Sequence, residues 1–223
     1  MTAPRVILQC VFLVMIGRVL SGTAGAQYGF VGCAAFATSS ITIVGVCDVT
    51  VEDVLSGTYH QIQRGVLRPS TVYLCRVLPY IVDGVIASVL ALALAGPILG
   101  MTRSALDLAP LLPLYLLTSV TSAMMGLAIA GLASIRSADV LLGNFATYIV
   151  LAAAGVVTPA PRSLAWLSAI GEILPLDHGL AAARASLAGR PWAGECVLEC
   201  AVGFGWAALA ISILQIRDGR ARR

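Results

Sequence analysis

The residues best equipped for chemistry gather in one interval. It reads Glu52-Asp53-Val54-Leu55-Ser56-Gly57-Thr58, then a polar run through Arg64 and Arg68-Pro69, then Arg76-Val77-Leu78-Pro79. Adjacent carboxylates can serve acid–base or metal chemistry, but the partners such chemistry needs are scarce. There is no lysine, and a phosphate-cradling loop needs one after its glycine-rich turn. Neither H-E-x-x-H nor G-x-S-x-G occurs. Six cysteines (Cys10, Cys33, Cys47, Cys75, Cys196, Cys200) show neither a disulfide framework nor zinc spacing. Cys196 and Cys200 share a helix face but read as small apolar packing residues. No catalytic residue and no metal site is assigned, and an enzyme is not expected.

The elements that must carry this interval are apolar. Hydrophobic residues make up 59% of the chain and charged residues 11%, with mean hydropathy +0.93. Soluble domains carry roughly 25% charged residues, so 223 residues with this composition cannot coat a water-facing surface. Lipid must be the solvent. Barrel strands alternate apolar and polar residues, whereas these runs are continuous, so the chain is expected to be all-α: one polytopic transmembrane bundle over residues 1–223. About 20 apolar residues cross the hydrocarbon. Six candidates meet or approach that length: Val6 to Leu20, Tyr28 to Val46, Pro79 to Leu99, Leu111 to Ile135, Val140 to Val157 and Val197 to Ile216. Two longer polar intervals remain, about 47–76 and about 158–195.

Basic residues favour the cytoplasmic side. With the N-terminus inside, that side holds nine arginines (Arg5, Arg64, Arg68, Arg76, Arg136, Arg217, Arg220, Arg222, Arg223). The outer side holds five (Arg18, Arg103, Arg162, Arg184, Arg190). Both termini are therefore expected in the cytoplasm, and His60 and His178 on opposite sides of the membrane. Arg5, the apolar Val6 to Ile16 and Ala24-Gly25-Ala26 imitate a cleavable secretory signal. Arg18 and the closely following apolar helix argue against that.

Composition alone reads 52–79 as a solvated loop with positive-inside arginines. A short helix along the cytoplasmic membrane surface is the alternative. In the outer interval, Trp166, Leu167, Ile170, Ile173 and Leu174 recur at helical spacing and Pro175 ends that helix. Leu180 to Leu187 forms another, giving two short interfacial helices with Trp166 at headgroup depth. Asp83 and Glu199 are costly inside a membrane. Asp83 is expected to snorkel, to pair with Arg76 or Arg18, or to serve transport; Glu199 is expected to reach outer water. The small face of Ser122, Gly126, Ala130 and Gly131 predicts close helix packing, or less directly a permease dimer contact.

These residues carry a resemblance. Glu52-Asp53, Gly57-Thr58 and Arg76-Val77-Leu78-Pro79 resemble the E-x-x-x-G-T … G-R-x-L-P segment of type-2 ABC exporter permeases, in the daunorubicin-resistance-like drug efflux branch. Asn144, Gly155 and Pro159 are similar to that family's fifth helix and exit. Trp166-Leu167, Pro175-Leu176, His178-Gly179-Leu180, Arg184 and Leu187-Ala188-Gly189 resemble its W-L … L-P-L-T-H-A-L … R … L-x-G signature. The resemblance covers nearly the whole chain. Two departures stand out. Only Met1 to Arg5 precede the first apolar run, where the family has an amphipathic elbow helix. Tyr59 to Arg64 replace a leucine- and proline-containing stretch.

The resemblance implies a permease subunit that exports an amphiphilic drug-like or lipid-like molecule. Two permeases, as homodimer or heterodimer, would line the pathway in a bacterial plasma membrane. A separate ABC ATPase would bind ATP and magnesium, with Glu52, Asp53, Gly57 and Thr58 as the coupling interface; this chain would hold no cofactor and no nucleic acid. Export of a lipid-linked glycan is the alternative within the class. A degenerate permease acting as a non-transporting assembly or immunity partner is the alternative outside it.

Overall fold

The computed structural model describes residues 2–133, 139–157 and 165–221, and every regular element among them is helical. Four helices are long and apolar enough to cross a bilayer: Ala3–Val49, Pro69–Ile98, Thr102–Leu132 and Ala193–Ile216. Leu141–Ala153 is a shorter apolar helix.

Helix α1 (Thr2–Leu55) contains the first two expected apolar runs as two arms. They part at Ser21 (φ −145°) and Gly22 (φ +62°, ψ −141°). Gly22 adopts a left-handed conformation that a side chain would resist. The second arm returns along the first. A Cβ on Gly17 or Gly25 would overlap the other's carbonyl oxygen, and Gly29 stands beside Leu13. Such contact between backbones is what small residues permit in membrane helices. The first arm buries Val6, Cys10, Leu13 and Val14 and turns Leu8, Phe12, Met15 and Val19 outward. Cys10 of the first arm and Cys33 of the second are both fully buried.

The second arm is the central helix, buried almost continuously from Gly29 to Ser40. It packs on α3 (Pro69–Leu90), α6 (Leu112–Ala133) and α7 (Asp139–Ala153). Helix α3 continues through a π-helical turn at Ala91–Ala95 into α4 (Gly96–Ile98). Helix α5 (Thr102–Leu108) and a 3-10 turn (Ala109–Leu111) lead into α6, which also packs along α10 (Ala193–Ala221). Helices α2 (Tyr59–Arg64), α8 (Ala165–Ile173) and α9 (Asp177–Leu187) are short. The linker around Arg136, and Pro159, Arg162, Arg222 and Arg223, lie outside the described residues.

Hydroxyl side chains join the three central helices. Thr42 Oγ1 lies 3.0 Å from Ser119 Oγ, and Ser119 donates to the Ile81 carbonyl at 2.9 Å. Ser39 and Ser122 also bond. Ser122 and Ala130 are fully buried, and Gly126 abuts Ile43 and Val46 of α1. Gly131 faces Ile213 of α10. The small face expected to allow close packing does so within this chain, which corrects the suggestion that it serves a permease dimer.

Several boundaries differ from expectation. The second arm runs to Leu55 rather than stopping at Val46, so Glu52 and Asp53 lie on a helix, not in a loop. Helix α3 begins at Pro69, and Pro79 sits inside it. Proline at a first helical position loses no bond that the helix would have made. Inside a helix it forfeits one, which the surrounding packing tolerates. Hydropathy marks the lipid-depth part of a helix and is blind to polar turns that extend beyond it.

Candidate functional site

Only residues 56–68 separate α1 from α3, and α2 occupies their middle. Asp53, in the last turn of α1, is 1% exposed. Arg76, two turns into α3, directs Nη1 at both Asp53 carboxylate oxygens. Thr58 Oγ1 donates to Asp53 Oδ1 at 2.9 Å, and Ser56 Oγ lies 2.9 Å from Thr58 Oγ1. Gly57 supplies the reversal between α1 and α2 with φ +73°. Thr58 then stands at the N-cap of α2, where the amides of Gln61 and Ile62 donate to its carbonyl at 3.0 Å. Asp53 thus clamps α1, the α2 entry and α3 together. Glu52 is exposed beside it, leaving a carboxylate free on the surface. The short helix replaces the solvated loop that composition favoured.

Asp83 lies two turns further along α3 and is exposed. Arg76 is committed to Asp53. Arg18 lines a cavity with Leu99 and Arg103, and Leu99 is about 24 Å along the helix from Asp83. Neither expected ion pair forms among the described residues.

At the opposite end, α8 and α9 fold against the bundle. Pro175 occupies the turn between them, as expected, and α9 begins at Asp177, three residues before the expected start. Leu176 holds a positive φ of 94°, a conformation that needs support for a branched side chain. The support comes from Glu199. Its Oε1 accepts from Thr121 Oγ1 at 2.5 Å and from the Leu176 amide at 3.3 Å. Its Oε2 accepts from the Gly179 amide at 3.0 Å. A buried carboxylate therefore satisfies donors at the start of α9, where a helix leaves amides unpaired and favours negative charge. This corrects the expectation that Glu199 reaches water: it is fully buried. Desolvation is offset by three donors.

Other signature residues complete this clasp. His178 Nδ1 lies 3.0 Å from Glu195 Oε2, and its Nε2 lies 3.3 Å from the Glu172 carbonyl. Arg184 Nη2 donates to the carbonyls of Gly155 (3.0 Å) and Val156 (3.3 Å), and its guanidinium stacks 3.6 Å from the Tyr28 ring centroid. Burial lowers the Arg184 pKa to about 10, leaving it cationic at neutral pH. Burial likewise raises the Asp177 carboxyl above its usual value. Trp206 Nε1 donates to the Ile173 carbonyl at 2.9 Å. Trp166 is 62% exposed on α8. Glu195 with Glu199 at helical spacing was the missed signal, since two acids on one face of an apolar helix need donors nearby. Tyr28 and Thr121 carry no such signal.

The chain thus has a braced short helix at one end and a clasped helical pair at the other, on an apolar bundle. The model of ABC-2 type transporters matches residues 1–188, most of the chain. The chain belongs to this family. It is therefore a multi-pass membrane protein, a transport component rather than a catalytic one, of a kind that works with an ABC ATPase. No curated protein and no solved structure matches it. In this ABC-2 membrane domain the matched residues hold the α1–α2–α3 clamp entire and both short helices of the clasp at the other end. Glu195 and Glu199, which complete the clasp, come from α10 beyond them.

Proposed function

We propose that this chain is the permease subunit of an ABC exporter, moving an amphiphilic drug-like or lipid-like molecule outward with ATP hydrolysed by a separate subunit. The observation that carries the reading is the Asp53–Arg76–Thr58 clamp. It ties the entry of α2 to two long helices, so a push on α2 is passed to α1 and α3 through that junction. Glu52, Asp53, Gly57 and Thr58 form the coupling surface and its support. Counting the two arms of α1 separately, with α7 as a crossing, gives six spans. Both termini and α2 then face the cytoplasm of a bacterium, and a second permease completes the pathway. The clasp of Pro175, His178, Arg184 and Glu199 closes the outer side.

Co-purification tests this. The tagged chain should bring down a P-loop ATPase whose hydrolysis rises with cargo. Gly57→Val strains a left-handed residue with no neighbouring atoms within 4 Å, so the bundle should insert normally while stimulation is lost. An isolated chain that recruits no ATPase, or full stimulation in the variant, would defeat the reading.

A further inference from the structure

A cavity of about 670 Å³ opens at the end of the bundle away from α2. It lies between the Gly22 turn of α1, the Leu99–Met101 turn before α5 and the end of α9. Its size falls in the range of small-molecule sites. Arg18 and Arg103 both line it, joined by Gln27 and Ser104. Val14, Val31 and Leu187 supply apolar wall, and Met15, 52% exposed, sits at the surface.

The two arginines are the unusual feature. Neither forms an ion pair among the described residues. Asp107 also lines the cavity, one helical turn from Arg103 on α5, yet it pairs with neither arginine. The cavity lining therefore carries two positive charges against one negative. In the proposed orientation both arginines face outward, against the usual bias of basic residues. Guanidinium groups pair with phosphate in a planar, two-pronged geometry, and the adjoining apolar wall suits an acyl chain.

We infer that this cavity binds the phosphate headgroup of an anionic amphiphile, with Arg18 and Arg103 as the ligands and the apolar wall holding the start of its chain. The inference requires the chain to sit in lipid. It does not require ATPase coupling, so its failure leaves the exporter reading standing, and the reverse.

The test uses the full-length chain in neutral detergent, read by native mass spectrometry. Phosphatidylglycerol should be retained over phosphatidylcholine of the same acyl chains. Arg18→Gln and Arg103→Gln should each weaken retention by roughly fivefold, as expected for a solvent-screened charge contact. Asp107→Asn should tighten it. The Arg18→Lys, Arg103→Lys double variant should keep the preference for the anionic lipid, which separates charge recognition from misfolding. Competition identifies the source. Dodecyl phosphate displacing the lipid shows that the site reads any phosphate amphiphile; failure to displace with the preference intact assigns it to bilayer lipid. Equal retention of the two phospholipids, or a glutamine double variant that retains phosphatidylglycerol like the parent, would overturn the inference. So would displacement by inorganic phosphate at the same concentration, since the apolar wall would then contribute nothing.

Discussion

Removing Arg76 should cost more than removing Asp53, although both changes delete the same ion pair. The Asp53 side chain is 2% exposed and the Arg76 side chain 38% exposed. Arg76→Gln leaves a buried carboxylate with Thr58 as its remaining side-chain donor. Breaking a fully buried pair from one side costs about 3–5 kcal/mol, and an exposed pair is worth about 0–1 kcal/mol. With one partner buried and the other partly in solvent, about 2 kcal/mol is the expected loss for Arg76→Gln. Asp53→Asn instead frees an arginine that can turn to water, and its amide can still bond Thr58, so about 1 kcal/mol is expected. Fluorescence-detected thermal unfolding in detergent can read both. For a chain of this size 2 kcal/mol corresponds to a fall of roughly 4–8 °C in the midpoint. The double variant should recover part of the Arg76→Gln loss, because no buried charge is then stranded. If Asp53→Asn proves the more damaging change, or if the two losses simply add, the clamp does not work as described.

Two further outcomes bear on the clasp around α9. Glu199→Leu orphans the amides of Leu176 and Gly179, each worth about 1–3 kcal/mol when buried. Hydrogen exchange in the first turn of α9 should speed up by at least about tenfold while α6 remains protected; unchanged exchange would remove Glu199 from its supporting role. Gly179→Ala places a Cβ in overlap with Thr118 Oγ1, an overpacking expected to cost about 1–3 kcal/mol. Thr118→Ala should relieve that loss in the same thermal assay, and failure to do so would point to a backbone cause instead.

Much of this protein was legible in its residues. Continuous apolar runs with few charges announced a helical membrane bundle, because a helix satisfies its own backbone in lipid. Pro175 marked the break between α8 and α9, and Glu52 to Arg76 contained the segment that joins α1 to α3. What hydropathy could not mark were the ends of helices that leave the lipid. The last turns of α1 and the first of α3 are polar enough to resemble loop, yet they are helical, and the Asp53–Arg76 pair joins the two helices there. Asp83 and Glu199 were equally conspicuous as acids in apolar helices. One is exposed and the other is fully buried under three donors.

The sequence by itself determined the solvent and the helical class, since composition and the continuity of apolar runs act over neighbouring residues, and its motifs carried the resemblance to the family. Only the tertiary structure decided which charges are paired, buried or free. That outcome depends on donors from distant parts of the chain: Thr121 and the Gly179 amide for Glu199, and Arg76 for Asp53. Electrostatic cost in a low-dielectric interior is settled by those few ångströms, and spacing along the chain does not encode them.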